Sequence, residues 1–169
     1  MTSVHVNTTA YAHTHVATSM LRGLRQIVLE AGLDQSRLVG DWHTLEAGVT
    51  TWIGSGHLRA LMLEIIDPSR SGSDLVGRFD FTIDYGYYGD GDGELWLDPE
   101  TIRFAVRKAG TYPAACTYRV VADTAPNHPP VSGWSGTTLR DTSGFTRHTT
   151  GTAVGGGHLG ASLSYHTRK

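Results

Sequence analysis

The sequence contains very little cysteine. Cys116 is its only cysteine, so the chain cannot form an internal disulfide. This residue lies in an apolar, strand-like run from Ala115 to Ala122, where a buried and unreactive thiol is the usual arrangement. No flanking motif marks it as a nucleophile. The fold therefore depends on its hydrophobic core rather than on covalent cross-links.

The chain also lacks an excess of positive charge and any long apolar segment. It carries 14 Lys and Arg against 16 Asp and Glu, a net charge of -2. Proteins that bind nucleic acid or anionic membranes usually show a basic stripe instead. No run of about 18 apolar residues and no signal-peptide pattern are visible. We therefore expect a cytoplasmic protein with no direct nucleic-acid partner and no membrane association.

Signatures of catalysis and cofactor binding are missing as well. The sequence has no Walker A loop, no G-x-S-x-G elbow, no H-E-x-x-H pair and no paired CxxC. The triple glycine at 155–157 follows no strong strand and precedes no helix, so it does not indicate a phosphate-binding loop. These features predict a protein with no catalytic residues, no metal and no cofactor.

An acidic, glycine-rich loop between Asp84 and Glu94 supports an alternative. Its carboxylates at Asp90 and Asp92 could supply oxygen ligands to a hard cation. The register of a calcium loop fails, because Tyr88 and Pro99 would then occupy positions that require ligands. A small α+β enzyme, or a metal- or sugar-binding module that uses this loop, remains the alternative function.

Hydrophobic periodicity predicts an α+β fold with three helices and three main strands. The third helix is marked most clearly, because Asp98 can cap its start and Pro99 occupies its first position. Residues Ser3 to Tyr11 alternate loosely and predict a short edge strand that leads to Thr14 as the cap of the first helix. The helices are expected over 15–31, 36–53 and 98–109, and the strands over 58–67, 75–85 and 115–123.

The connections between these elements predict a central antiparallel sheet. The first two main strands are joined by a short turn and should form a hairpin. A helical crossover precedes the third strand, which should therefore lie on the other edge. The predicted strand order is 75–85, 58–67, 115–123, with the three helices mainly on one face. Strand 115–123 would then have a free outer edge, and such an edge can accept an extended peptide.

The C-terminal part of the chain differs in character from the rest. After Thr124, the sequence becomes rich in Gly, Ser and Thr, yet it retains the large apolar residues Trp134, Phe145 and Tyr165. A disordered tail would be expected to lack such groups. We expect this segment to be weakly structured by itself and to dock on something.

Several short motifs match one known family. The more specific ones are the acidic glycine loop at 89–93 followed by Trp96, and the helix end Lys108-Ala109-Gly110. The others are Trp42 with Thr51-Trp52, Leu63-Glu64-Ile65 with Asp67-Pro68, Arg78-Phe79-Asp80-Phe81 with Tyr85-Gly86-Tyr87, Ala105-Val106, Tyr118-Arg119, Gly133-Trp134 and Leu159-Gly160-Ala161. With these motifs, the chain resembles the bacterial HORMA-domain proteins encoded in CBASS anti-phage operons over nearly its whole length.

The resemblance implies a non-enzymatic signalling switch built as one domain, residues 1–169. Its core would span residues 14–124, and a C-terminal safety belt, residues 125–169, would wrap a short extended peptide called the closure motif. The closed form would bind and activate a nucleotidyltransferase of the CD-NTase type, which makes a cyclic oligonucleotide messenger. A hexameric AAA+ ATPase would reopen it by engaging residues 1–13. The resemblance leaves open whether the chain closes without a peptide or acts paired with a second HORMA protein.

The resemblance also suggests which residues make these contacts, by position alone. The peptide would lie along strand 115–123. Its expected contacts are Cys116, Tyr118, Val120, Trp134, Phe145 and Arg147. The remodelling ATPase is expected to engage Ser3, Val4 and His5.

Overall fold

One six-stranded antiparallel sheet organises the fold. The computed structural model describes residues 2–87, 95–156 and 158–169, with side chains described from Tyr11 onward. In this part of the chain, the strand order is β3-β5-β6-β2-β1-β4. The elements are α1 (Thr2–Glu30), α2 (Ser36–Gly40), α3 (Trp42–Gly54), β1 (Leu58–Ile66), β2 (Leu75–Asp84), β3 (Trp96–Leu97), α4 (Pro99–Ala109), β4 (Thr117–Thr124), β5 (Phe145–Gly156) and β6 (Leu159–Arg168).

The predicted α+β class and the predicted order of the three main strands are confirmed. Strand β1 pairs with β2 on one side and β4 on the other, and Leu63 lies opposite both Phe79 and Val120. The side chains of Leu63 and Phe79 are fully buried on the sheet face that packs against the helices. We call this the helix face, and the opposite side the back face.

The first helix is longer than predicted. Residues Thr2–Glu30 form one helix, so the edge strand expected over Ser3 to Tyr11 is wrong and Thr14 lies within the helix. Residues 2–14, which precede the predicted start of the helix, contain no glycine or proline. Ala12 and Val16 belong to a buried stripe that anchors the helix, which can then extend towards the N-terminus one residue at a time. The end at Gly32, which has a φ of +76°, agrees with the sequence.

The remaining helices differ in how well they match the prediction. The helix expected over 36–53 is divided at Asp41 into α2 and α3. The fourth helix begins as expected, since the Asp98 carboxylate accepts hydrogen bonds from the backbone N–H groups of Glu100 and Thr101. The Thr101 hydroxyl also donates to Asp98, at 2.7 Å.

The C-terminal part is more regular than the sequence suggested. Strands β5 and β6 form a hairpin, and β6 pairs with β2. Leu163 and Ala161 are fully buried on the helix face, opposite Phe81 and Ile83. The expected docking of this segment is therefore confirmed for these strands, whose apolar residues alternate from Leu159 to Tyr165. The hairpin extends the β2 side of the sheet, and β4 is left as the opposite edge strand.

Candidate peptide-binding groove

The connection from β4 to β5, residues 125–144, runs past the outer edge of β4, and we call it the strap. Its first residue continues the pairing of β4 with β1, because the N–H of Ala125 donates to the carbonyl of His57 at 2.8 Å. The Trp52 indole N–H on α3 then donates to the carbonyl of Pro129 at 2.7 Å. His128 stacks edge-on against the same indole, with ring centres 5.3 Å apart. These contacts tie the first half of the strap to α3.

Trp134 is the main anchor of the strap on the helix face. Its ring lies edge-on to Trp52, with a centroid distance of 4.9 Å, and its indole N–H donates to the carbonyl of Thr44 at 2.9 Å. Gly48 makes room for this ring, because a Cβ at that position would lie 2.6 Å from Trp134 Cε2. Gly133 has a φ of +89°, a left-handed conformation that favours glycine. Trp134 therefore binds the strap at a defined position on α3.

The second half of the strap is bound to the back face. Glu64 on β1 is fully buried there, opposite Arg119 on β4. Its carboxylate accepts from Arg119 Nε at 2.9 Å and from the backbone N–H of Arg140 at 2.8 Å. Arg119 in turn donates to Thr137 Oγ1 and to the carbonyl of Thr138, both at 2.8 Å. The strap therefore passes from the helix face to the back face around the outer edge of β4.

A further ion pair fastens the end of the strap. Arg140 Nε donates to Asp74 Oδ1 at 2.7 Å, next to the start of β2. The hydrogen bond from Arg140 holds the pKa of the Asp74 carboxyl below its ordinary value, and the same bond raises the pKa of Arg140. Both groups are therefore charged at neutral pH.

Two adjoining cavities lie between β4 and the strap. The larger has a volume of about 540 Å³ and extends towards α2 and the start of α3. The smaller, of about 340 Å³, lies beside Trp52 and the end of β4. They share part of their lining, so together they follow β4 from Tyr118 to Thr124. The shared residues are Val120, Trp134, Ser135, Gly136 and Thr137.

The structure brings Tyr118, Val120 and Trp134 together, as the sequence suggested. Val120 and Trp134 line both cavities, and Tyr118 lines the larger one. The Tyr118 hydroxyl donates to the carbonyl of Asp34 at 2.6 Å and accepts from the N–H of Leu38 at 3.2 Å. Burial raises its pKa. Tyr118 therefore fixes β4 to the start of α2, besides lining the cavity.

The other three residues proposed for the groove lie elsewhere. Cys116 precedes β4, is half-buried and lines neither cavity, and burial raises the pKa of its thiol. Phe145 and Arg147 lie on β5, which β6, β2 and β1 separate from β4. Phe145 packs instead under Arg168, whose guanidinium lies 4.9 Å from the ring centre. The C-terminal hairpin thus does not contribute to the groove beside β4.

Two other predicted regions are only partly covered. Ser3, Val4 and His5 lie in the first turns of α1, and their side chains fall outside the described residues. Asp90 and Asp92 of the acidic loop also lie outside them. Where side chains are described, no group of three or more His, Cys, Asp or Glu residues could hold a metal ion. No helix in the described ranges combines the length and apolar character that a membrane crossing requires.

The residues that hold the strap on the back face are not predicted from the sequence. Glu64 offered a signal, because a carboxylate inside the apolar run of β1 requires a charged or hydrogen-bonding partner. Nothing in the sequence indicated that Arg119 and Arg140 supply it. Their meeting depends on the path of the strap, which spacing alone does not give.

Solved structures of other proteins share this fold. A chain of the mitotic checkpoint complex matches with a TM-score of 0.67 at 10% identity, covering 91% of this chain and 97% of that one. C. elegans HTP-1 bound to the HIM-3 closure motif matches with a TM-score of 0.62 at 12% identity, covering 90% and 88%. A chain of the E. coli MS115-1 CdnC:HORMA-deltaN complex matches with a TM-score of 0.61 at 11% identity, covering 95% and 89%.

Comparison of the sequence with known families identifies the family of the chain. No curated protein matches the chain significantly. The family model for bacterial HORMA domain 2, however, matches residues 1–169, which is the whole chain. The fold and this match agree with the resemblance found in the sequence motifs. The chain therefore belongs to the bacterial HORMA domain 2 family.

Proposed function

We propose that this protein is a non-enzymatic switch that captures a short extended peptide between β4 and the strap. The observation that carries the proposal is the path of the strap, which crosses the outer edge of β4 and encloses two cavities along it. In the described part of the chain, no strand pairs with that edge. An added peptide strand would bond to its backbone groups.

The shape of the groove supports an extended ligand rather than a compact one. The eight residues of β4 span roughly 26 Å at about 3.3 Å per residue. Side chains that alternate along a peptide could enter the cavities on the helix face. Val120 and Trp134 would contact the ligand near the middle, and Tyr118 near one end. The HTP-1 structure named above contains a closure-motif peptide, which supports the same mode of binding here.

A peptide selected on the protein itself can test the groove. A random library of twelve-residue peptides displayed on phage would be selected on the wild-type chain, and one peptide labelled with fluorescein. Val120→Glu places a charge where both cavities meet, and we expect it to weaken binding at least tenfold in fluorescence anisotropy. Val39→Glu is the matched control, because Val39 is exposed on α2 and lines neither cavity.

The two variants make the outcome decisive. Val39→Glu should bind the peptide like the wild type, and circular dichroism should show the same folded structure for both variants. If selected peptides bind Val120→Glu as tightly as the wild type, or if repeated selection yields none, the groove is not a peptide site.

We propose further that the peptide-bound form binds and activates a nucleotidyltransferase of the CD-NTase type in anti-phage defence. The structure described as an E. coli CdnC:HORMA complex supports a partner of this class. The test is to combine the chain, the selected peptide and a CD-NTase encoded beside it, and to measure nucleotide oligomers. The proposal predicts synthesis only with peptide present, and equal synthesis without the HORMA chain would contradict it. A second HORMA protein and a cytoplasmic location, both expected from the sequence, stay part of this proposal.

We propose that an AAA+ remodelling ATPase reopens the peptide-bound form by engaging the start of α1, including Ser3, Val4 and His5. Ala12 is the first buried side chain among those described on α1, so removing residues 1–10 removes no described core side chain. The truncated chain should still bind the selected peptide. It should no longer release that peptide when the ATPase and ATP are added, and ATP-driven release at the wild-type rate would contradict this role.

A further inference from the structure

Glu64 differs from the other described charged groups that bind the strap because its side chain is fully buried. It is the fully buried carboxylate at the centre of β1, and its neighbours Leu63 and Ile65 are fully buried on the opposite face. A charge in such a place is stable only with close hydrogen-bond donors. The Glu64 carboxylate has donors from two separate segments, β4 and the strap.

The donors connect the strap to the sheet both directly and through Arg119. The backbone N–H and the guanidinium of Arg140 reach Glu64 at 2.8 and 3.2 Å. Arg119 donates to the Glu64 carboxylate at 2.9 and 2.5 Å, and it also donates to Thr137 and Thr138 of the strap. A single carboxylate therefore binds Arg140 of the strap directly and orients Arg119, which binds Thr137 and Thr138.

These contacts lie on the opposite side of β4 from the Trp134 anchor. Between the two anchors, residues 135–137 line both cavities. A peptide in the groove would lie under this part of the strap, and could leave sideways only if one anchor releases. The back-face anchor is made of hydrogen bonds and charge, whereas on the helix face Pro129, His128 and Trp134 hold the strap against α3.

We propose that Glu64 is a positioning residue that fastens the strap across the outer edge of β4 and sets how long a captured peptide stays bound. The proposal rests on the peptide-binding function described above. It assigns to Glu64 an effect on the dissociation rate rather than on initial capture, because the carboxylate lies behind β1 and lines neither cavity.

A matched pair of variants separates this role from general stability. Glu64→Gln keeps the size of the side chain but removes its charge. Asp80→Asn is the control, because Asp80 is also a buried carboxylate on the back face, bonded to Arg78 at 2.8 and 2.9 Å. None of the described contacts of Asp80 involves the strap. Both changes disturb a buried ion pair, but only one of them disturbs the strap.

The first readout needs no peptide. Thermolysin cleaves before apolar residues such as Val131 and Leu139 in the strap. We expect Glu64→Gln to be cleaved within residues 125–144 at least ten times faster than the wild type. Asp80→Asn should be cleaved at these sites within twofold of the wild-type rate.

The second readout is the kinetics of the fluorescein-labelled peptide selected on the wild type. We expect Glu64→Gln to raise its dissociation rate at least tenfold, with an association rate within threefold of the wild type. If Glu64→Gln does not fold, Arg140→Lys tests the same anchor from the strap side, where the side chain is partly exposed. A lysine cannot reproduce the forked hydrogen bonds of Arg140 to Asp74 and Glu64, so it should raise dissociation by an intermediate factor.

The outcomes separate this inference from the function on which it rests. If the soluble variants among Glu64→Gln and Arg140→Lys show wild-type cleavage and wild-type dissociation, or if Asp80→Asn changes both equally, the positioning role is refuted. If no peptide can be selected, the peptide function fails, while faster cleavage of the strap in Glu64→Gln would still establish its fastening by Glu64.

Discussion

Replacing Gly48 with alanine should displace Trp134 of the strap from α3, although the same change should increase the stability of α3 itself. Alanine is preferred over glycine inside a helix by about 1 kcal/mol, so α3 alone would gain stability. The new methyl group, however, would lie 2.6 Å from Trp134 Cε2, and the indole would have to move. The local effect on the strap and the effect on the helix therefore have opposite signs.

The loss at the strap can be worked out from the contacts of Trp134. Its edge-on contact with Trp52 is worth about 1 kcal/mol, and its hydrogen bond to the Thr44 carbonyl about 1 kcal/mol more. A loss of about 2 kcal/mol corresponds to roughly thirty-fold more frequent opening. Amide hydrogen exchange followed by mass spectrometry should show this increase in peptides from residues 125–144, with little change in β1 or β2.

Gly54→Ala is the control in the same helix. A Cβ there would approach only His13 Nδ1, at 3.9 Å, which is an ordinary contact. This variant should leave exchange in the strap unchanged. If Gly48→Ala also leaves it unchanged, then Trp134 does not hold the strap on α3, and the reasoning from its contacts is wrong.

Three other predictions follow from named contacts. Tyr118→Phe removes the bond to the Asp34 carbonyl and leaves the Leu38 N–H unpaired, so urea denaturation should show a loss of about 2 kcal/mol, and an unchanged midpoint would contradict this. Asp98→Ala removes the cap of α4 and should lower the free energy of unfolding by about 1 kcal/mol, whereas Asp141→Ala, in an exposed turn, should not. Because the pKa of Asp74 is lowered when folded, its contribution is complete above the unfolded pKa near 4 and is lost as pH falls through the folded value. Relative to an unfolded substrate digested in parallel, cleavage of the strap by pepsin should therefore accelerate as the pH falls from 4 to 2, and the strap of Asp74→Asn should be cleaved rapidly with much less of this dependence.

The sequence predicts the centre of the fold because its signals there are local. The apolar run of β1, the alternation along β2 and the Asp98-Pro99 start of α4 each depend on neighbouring residues, and each is confirmed. The order of β2, β1 and β4 follows from the hairpin and the crossover. The C-terminal hairpin was missed, although its alternating residues offered a local signal, because glycine and threonine dominate the composition around them.

The groove is harder to predict, because it depends on contacts between distant segments. The position of Val120 and Trp134 beside one another follows from the path of the strap, as does the meeting of Glu64 with Arg140. Phe145 is expected in the groove by its position in the family pattern, but the strand order places three strands between β5 and β4. Position in the chain alone does not distinguish Phe145 from Trp134.

The most direct test of the account is a structure of the protein with the selected peptide bound. Isotope-filtered NMR on an unlabelled peptide and a ¹⁵N,¹³C-labelled chain would identify which protein protons lie next to it. The account predicts close contacts from the peptide backbone to β4, and from its side chains to Val120 and Trp134. Contacts confined to another edge of the sheet, such as β3, with none to β4, would contradict it.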